Sequence, residues 1–254
     1  MDYNMLNFIL FCLGVFLFFF FKYKREDKIN ANRKTKEIES VASQEFSKPQ
    51  SFGFKNPHGW MAVKTDDYLK VADFLSHSNK YRTNWEKGIQ YAYDGGCFIS
   101  PSLRGWTLVV SPGFFIDELF KRDGLSNKLK EMSIEFDEVH CYTSYRIISQ
   151  NSWVKIVNGE IERAFSQNNQ INFNIGKITQ VENELIQKEK KEFIKNMEQY
   201  GLVIPENDLE LLIDENHVFN VAKDWDINPL ELDNISEIDE RLGVFIYGQT
   251  IFNL

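Results

Sequence analysis

Residues 5–21 read MLNFILFCLGVFLFFFF, an uncharged apolar run that ends at Lys22-Tyr23-Lys24-Arg25 and has no counterpart elsewhere in the chain. As a helix rising about 1.5 Å per residue it spans roughly 25 Å, close to the lower limit for crossing a hydrocarbon core of about 30 Å. Tyr3 and Tyr23 sit where interfacial aromatics extend such a span, and Lys22 and Lys24 can snorkel. The run predicts an N-terminal single transmembrane helix, residues 1–21, with the lipid contacts made by residues 5–21. Whatever folds must then do so on one side of a membrane.

The flanks choose the side. Before the run stands only Asp2, whereas after it come Lys22, Lys24, Arg25, Lys28, Arg33, Lys34 and Lys36. Cytoplasmic flanks carry the excess of Lys and Arg, so the expected topology is N-terminus out and soluble domain cytoplasmic. A cleaved signal peptide needs a basic leader and small residues ahead of the cleavage point; this run has neither, and Cys12 follows Ile9-Leu10-Phe11 rather than the small residues of a lipoprotein signal.

Residues 22–57 are dominated by charge, Asn, Ser and Gln, a composition that buries too little surface to fold. They read as a polar flexible linker, leaving residues 58–254 as one soluble domain with enough chain for a real core. Cys97 and Cys141 are the only thiols outside the apolar run, which suits a reducing compartment and offers neither a disulfide framework nor a metal set. The net charge of -8 is concentrated: residues 205–240 hold 12 acidic residues against one basic, Lys223. Such a domain repels phosphate backbones, so no nucleic-acid partner is expected.

The pattern along the domain predicts an α+β fold with two antiparallel β-meanders and flanking helices. Leu69, Val71, Ala72 and Leu75 behind Thr65-Asp66-Asp67 mark an amphipathic helix. Ile89-Gln-Tyr-Ala-Tyr93, Cys97-Phe-Ile-Ser100 and Trp106-Thr-Leu-Val-Val110, separated by Gly- and Pro-containing turns, read as a first meander of three strands. Residues 114–132 suggest two short helices broken near Gly124 and recapped at Ser126. The second meander runs through residues 139–148, 153–157, 160–165 and 171–175. Asn158-Gly159 is its strongest turn signal, because both central positions of a type I′ turn need positive φ. Alternation is imperfect there, with Arg163 falling between Ile161 and Phe165 on one face. Thr179-Gln-Val-Glu182 is a capping box opening a charged helix to about Tyr200, with Gly201 as its stop. A small helix follows over residues 217–223, then a start signal at Asn228-Pro229-Leu230-Glu231, and Gly243-Val-Phe-Ile-Tyr247 reads as a last strand.

Chemical motifs are few. Asp224-Trp-Asp226-Ile-Asn228 begins like a calcium loop, but Pro229 stands where Gly is needed and Ile235 where a bidentate Glu is needed. His58, His77, His140 and His217 are scattered, with no pair at the spacing that puts two imidazoles on one helix face. His140 and Cys141 are adjacent on a strand and so point to opposite faces, which prevents a base–nucleophile pair. There is no Gly-rich phosphate loop, and Glu160 and Glu162, two residues apart on a hairpin arm, fit a solvated edge. No cofactor, no metal and no catalytic residue is assigned.

Gly105-Trp-Thr-Leu-Val-Val110, Ser133-x-x-Phe136-x-x-Val139 and Trp153 with Asn158-Gly159 and Arg163 together resemble a pattern of uncharacterised bacterial proteins over about 60 residues. The resemblance implies no activity, and the N-terminal anchor departs from it. The expectation is a membrane-anchored, non-enzymatic protein-recognition domain, of bacterial inhibitor or immunity type, that meets a basic protein partner. Asp214, Glu215, Asp224, Asp226 and Glu231 are the candidate contact residues. The alternative is a membrane-tethered enzyme of unrecognised type.

Overall fold

The computed structural model describes residues 45–53, 58–76, 80–114, 116–117, 123–202, 213–236 and 239–247. The apolar run at residues 5–21 lies outside them, and among the described residues no helix is long and apolar enough to cross a membrane.

Trp60, Met61, Ala62 and Val63 are all fully buried, which a strand achieves only when both faces of its sheet are covered. They belong to β1 (His58–Val63). It is followed by α1 (Tyr68–Leu75), β2 (Lys80–Thr83), α2 (Trp85–Tyr93), β3 (Gly96–Ile99), β4 (Thr107–Val110), α3 (Asp123–Glu135) and β5 (Glu138–Tyr145). After a 3-10 turn come β6 (Gln150–Val157), β7 (Glu160–Asn168), β8 (Gln170–Gly176), α4 (Gln180–Gln199), α5 (Glu215–Trp225), a 3-10 helix (Pro229–Asn234) and β9 (Gly243–Tyr247). The strands form a single nine-stranded sheet in the order β2-β9-β3-β4-β1-β5-β6-β7-β8, every pair antiparallel.

Successive strand residues supply two separate cores. Met61, Val63, Ile99, Val109, Val139 and Cys141 pack with Val71 and Leu75 of α1 and Leu129 and Met132 of α3. On the other face Trp60, Ala62, Phe98, Val110, Tyr142 and Trp153 pack with Trp85 and Ile89 of α2 and Val218, Phe219 and Ala222 of α5. At roughly 25 cal/mol per Å² of apolar area removed from water, these two layers are the main favourable term in stability.

The α+β class and antiparallel pairing follow expectation; the division into two meanders does not. β1 lies between β4 and β5 and joins both halves into one sheet. Ile89–Tyr93 is not a strand but the second half of α2, which Asn84 caps through its side chain to Lys87 N. Trp85, Ile89 and Ala92 are the buried stripe of that helix, a period of three to four that outweighs the β-favouring Ile and Tyr. The first helix begins at Tyr68 with Asp67 as its cap, while Thr65 Oγ1 accepts from Asp67 N. One helix, α3, runs through Gly124 and Ser126 where a break was expected, and residues 118–122 lie outside the described chain. Residues 45–53 of the expected linker are described, and part of them packs on the domain. Phe52 is buried, Ser51 N donates to Asp233 Oδ1, and Phe52 N donates to the Pro229 carbonyl.

Asn158 and Gly159 have φ of 48° and 84°, as a type I′ turn requires. The uneven alternation around Arg163 is resolved by a bulge: Lys155 faces Arg163 and Ile156 faces Ile161, so Glu162 is passed over and the side-chain parity changes. Ile161 therefore joins the α3 face, and Phe165 the α5 face.

Candidate functional site

On β5 the two-residue period puts Glu138, His140 and Tyr142 on the same face. Sheet register sets Lys155 and Trp153 of β6 opposite His140 and Tyr142, and Ala62 and Trp60 of β1 on the other side. Ala62 leaves room for the imidazole. The C-terminal end of α5 then lays Trp225 and Asp226 across these strands.

The result is a continuous chain of polar contacts partly under aromatic cover. Asp226 Oδ2 stands 2.7 Å from His140 Nδ1 and also accepts from the Tyr142 hydroxyl. His140 Nε2 stands 2.9 Å from Glu138 Oε1. Glu138 in turn holds Lys155 Nζ at 2.8 Å on Oε1 and Lys64 Nζ at 2.8 Å on Oε2. The rings of Trp106 and Trp225 lie 4.8 and 5.3 Å from the imidazole, and Trp60 stacks on Tyr142 at 4.9 Å.

Electrostatics follows from the partners. A carboxylate at each ring nitrogen favours the imidazolium form of His140. Burial opposes that charge, but the hydrogen bonds and charges of Asp226 and Glu138 outweigh it and raise the His140 pKa. The His140 hydrogen bond leads the causes that hold the Glu138 carboxyl well below the usual range, helped by Lys155 and Lys64 against desolvation. Burial, reinforced by Asp226, pushes the Tyr142 hydroxyl well above its ordinary value. The side chains of His140 and Asp226 are both 0% exposed and both imidazole nitrogens are engaged, so the cluster fixes charge and ties α5 to the sheet. It offers no free base to a substrate.

A cleft of about 230 Å³ opens beside Asp226, lined by Arg104, Lys223, Ile227, Asn228, Glu231, Asn234 and Ile235. A second buried ion pair joins α4 to the sheet. Arg163 Nε donates to both oxygens of Glu182 at 2.9 Å, Trp153 Nε1 donates to Glu182 Oε1, and Arg163 Nη1 reaches Asn174 Oδ1 at 2.7 Å. Glu182 is the capping-box residue of α4, so one side chain both starts the helix and anchors it.

The five candidate contact residues fare differently. Asp226 is not a surface residue: its carboxylate is wholly buried on His140 and Tyr142. Asp214 is the N-cap of α5, accepting from Asn216 N and His217 N. Glu215 pairs with Arg146, and Glu231 with Lys223 at 2.6 Å. Asp224 is exposed and, among the described residues, has no ion-pair partner. Glu189, Asp214 and His217 offer ligand-type atoms within 4.8 Å of one another. Capping already occupies the Asp214 oxygens, however, with Asn216 Nδ2 on Oδ2 and His217 Nδ1 on Oδ1. Burial raises the pKa of the Cys97 and Cys141 thiols, which makes both poor nucleophiles.

The sequence reading missed the Glu138–His140–Tyr142 ladder and the Arg163–Glu182 pair. The first had a legible signal, three polar residues at alternate positions in a strand whose intervening residues, Val139 and Cys141, are apolar. Asp226, 84 or more residues away, had none. No protein-family model, curated protein or solved structure matches the chain.

Proposed function

We propose that the chain is a membrane-anchored, non-enzymatic recognition module whose soluble domain faces the cytoplasm and presents the surface of α5 and the following 3-10 helix to a basic protein partner. An inhibitor or immunity-type protein is the concrete form of this role. The observation that carries the reading is the exposure of Asp224, Glu231 and Asp233 on one ordered stretch, residues 213–236, in which Lys223 is the one basic residue. A surface with an excess of one sign speeds encounter with an opposite charge and selects against like-charged partners. The His140–Asp226 link ties α5 to the sheet, and an imidazole with no exposed edge favours recognition over acid–base chemistry.

The test uses the full chain in detergent as bait at low and high salt, beside the charge reversals Asp224→Lys and Glu231→Lys. A basic protein held at low salt, released at high salt and lost with the double reversal supports the reading. Retention by the double reversal, or no basic protein bound at low salt, removes it.

A further inference from the structure

Two tight turns in this fold share a geometry and differ at one position. In the second, Leu103 N donates to Trp106 O at 2.7 Å and Trp106 N to Leu103 O at 3.0 Å, with Arg104 and Gly105 at φ of 53° and 84°. The 158–159 turn fills the first left-handed position with Asn, whose short side chain tolerates that region; here the position holds an arginine. Strain of this kind persists where a side chain is needed in one place.

The place is the cleft beside Asp226, whose wall Arg104 forms. Neither the Arg104 guanidinium nor the Asn234 amide has a partner among the described residues. Among the other lining residues Lys223 is neutralised by Glu231, and the Asp226 carboxylate is engaged by His140. Arg104 therefore carries one uncompensated positive charge within the most acidic part of the fold. Ile227 and Ile235 add apolar wall.

We propose that this cleft binds a small monocarboxylate, gripped by the Arg104 guanidinium fork, flanked by the Asn234 amide, with a short alkyl tail against Ile227 and Ile235. The planar fork matches a carboxylate bidentately. A phosphate dianion exceeds the single available charge.

Thermal unfolding of the full chain in zwitterionic detergent, at ionic strength held constant with chloride, tests this with acetate, butyrate and inorganic phosphate as probes. Butyrate raises the melting temperature in a saturable way and binds several-fold tighter than acetate, because its tail leaves water. Arg104→Asn suits the left-handed turn, so it raises the melting temperature without probe and weakens butyrate binding about tenfold or more. Arg104→Lys keeps the charge without the fork and binds at intermediate strength. A butyrate shift no larger than that of chloride, an unchanged response in Arg104→Asn, or a phosphate response equal to that of butyrate overturns the proposal.

Discussion

Replacing Asp226 by Ala removes a carboxylate that serves three donors at once: His140 at Nδ1, the Tyr142 hydroxyl and Ile227 N. Truncating one partner of a buried, hydrogen-bonded charge pair costs about 3–5 kcal/mol, since the remaining charge is stranded. A buried hydroxyl without an acceptor costs about 1–3 kcal/mol. The two losses share one site and are not additive, because the imidazole can shed its proton, so the expected penalty is about 4–6 kcal/mol. A domain stable by about 5–15 kcal/mol is brought near its unfolding threshold by that change. Asp224→Ala, two residues earlier on exposed surface, should shift stability by no more than about 0.5 kcal/mol and serves as the control. Urea unfolding of the full chain in detergent, followed by tryptophan fluorescence, measures both. A penalty below about 1 kcal/mol for Asp226→Ala would refute the claim that this carboxylate ties α5 to the sheet.

Stability should also depend on pH through the same cluster. The raised pKa of His140 contributes fully below its ordinary 6.5 and is lost as pH rises through the folded value. The depressed pKa of Glu138 contributes fully above its ordinary 4.5 and is lost as pH falls through the folded value, so urea midpoints should peak between those limits. His140→Phe should abolish the alkaline slope; its persistence would assign that slope elsewhere. Gly159→Val forces a β-branched residue to φ of 84° with its Cβ 3.0 Å from Ile134, and should lower stability by about 1–3 kcal/mol in the same assay. In cells, replacing Phe16 and Phe19 by Asp should release the protein from carbonate-washed membranes, since each mid-span charge costs about 2.5–3.5 kcal/mol; a mutant that stays in the pellet contradicts the anchor.

What could be read in advance divides along physical lines. Signals closed within a few residues were legible: the Asn158-Gly159 turn, the Thr179–Glu182 capping box and the β9 run each carry their own geometry. β1 was missed because a strand buried on both faces shows no alternation, and Trp60-Met-Ala-Val63 reads simply as apolar. α2 was mistaken for a strand because Ile89, Tyr91 and Tyr93 alternate, although Asn84 and the Trp85–Ile89–Ala92 spacing mark a helix. The site was the least legible part. Counting acidic residues found Asp226, but nothing local distinguishes a carboxylate beneath a helix end from Asp224 two residues away.

The path of the chain through the sheet bears on when it can fold. β9, at residues 243–247, is not an edge strand: it sits between β2 and β3 and pairs with both. Until those residues leave the ribosome, β2 has no partner and β3 has one bare side, with Phe98 and Phe245 unable to complete the α2 layer. Residues 243–247 must therefore be made before β2 can pair, although β1, β4 and β5 can meet earlier, and this long-range pairing slows folding and leaves open edges exposed. A chain cut short before Gly243 does not lose an ornament at the rim; it has a slot through the sheet, one strand wide, where another molecule's strand can enter.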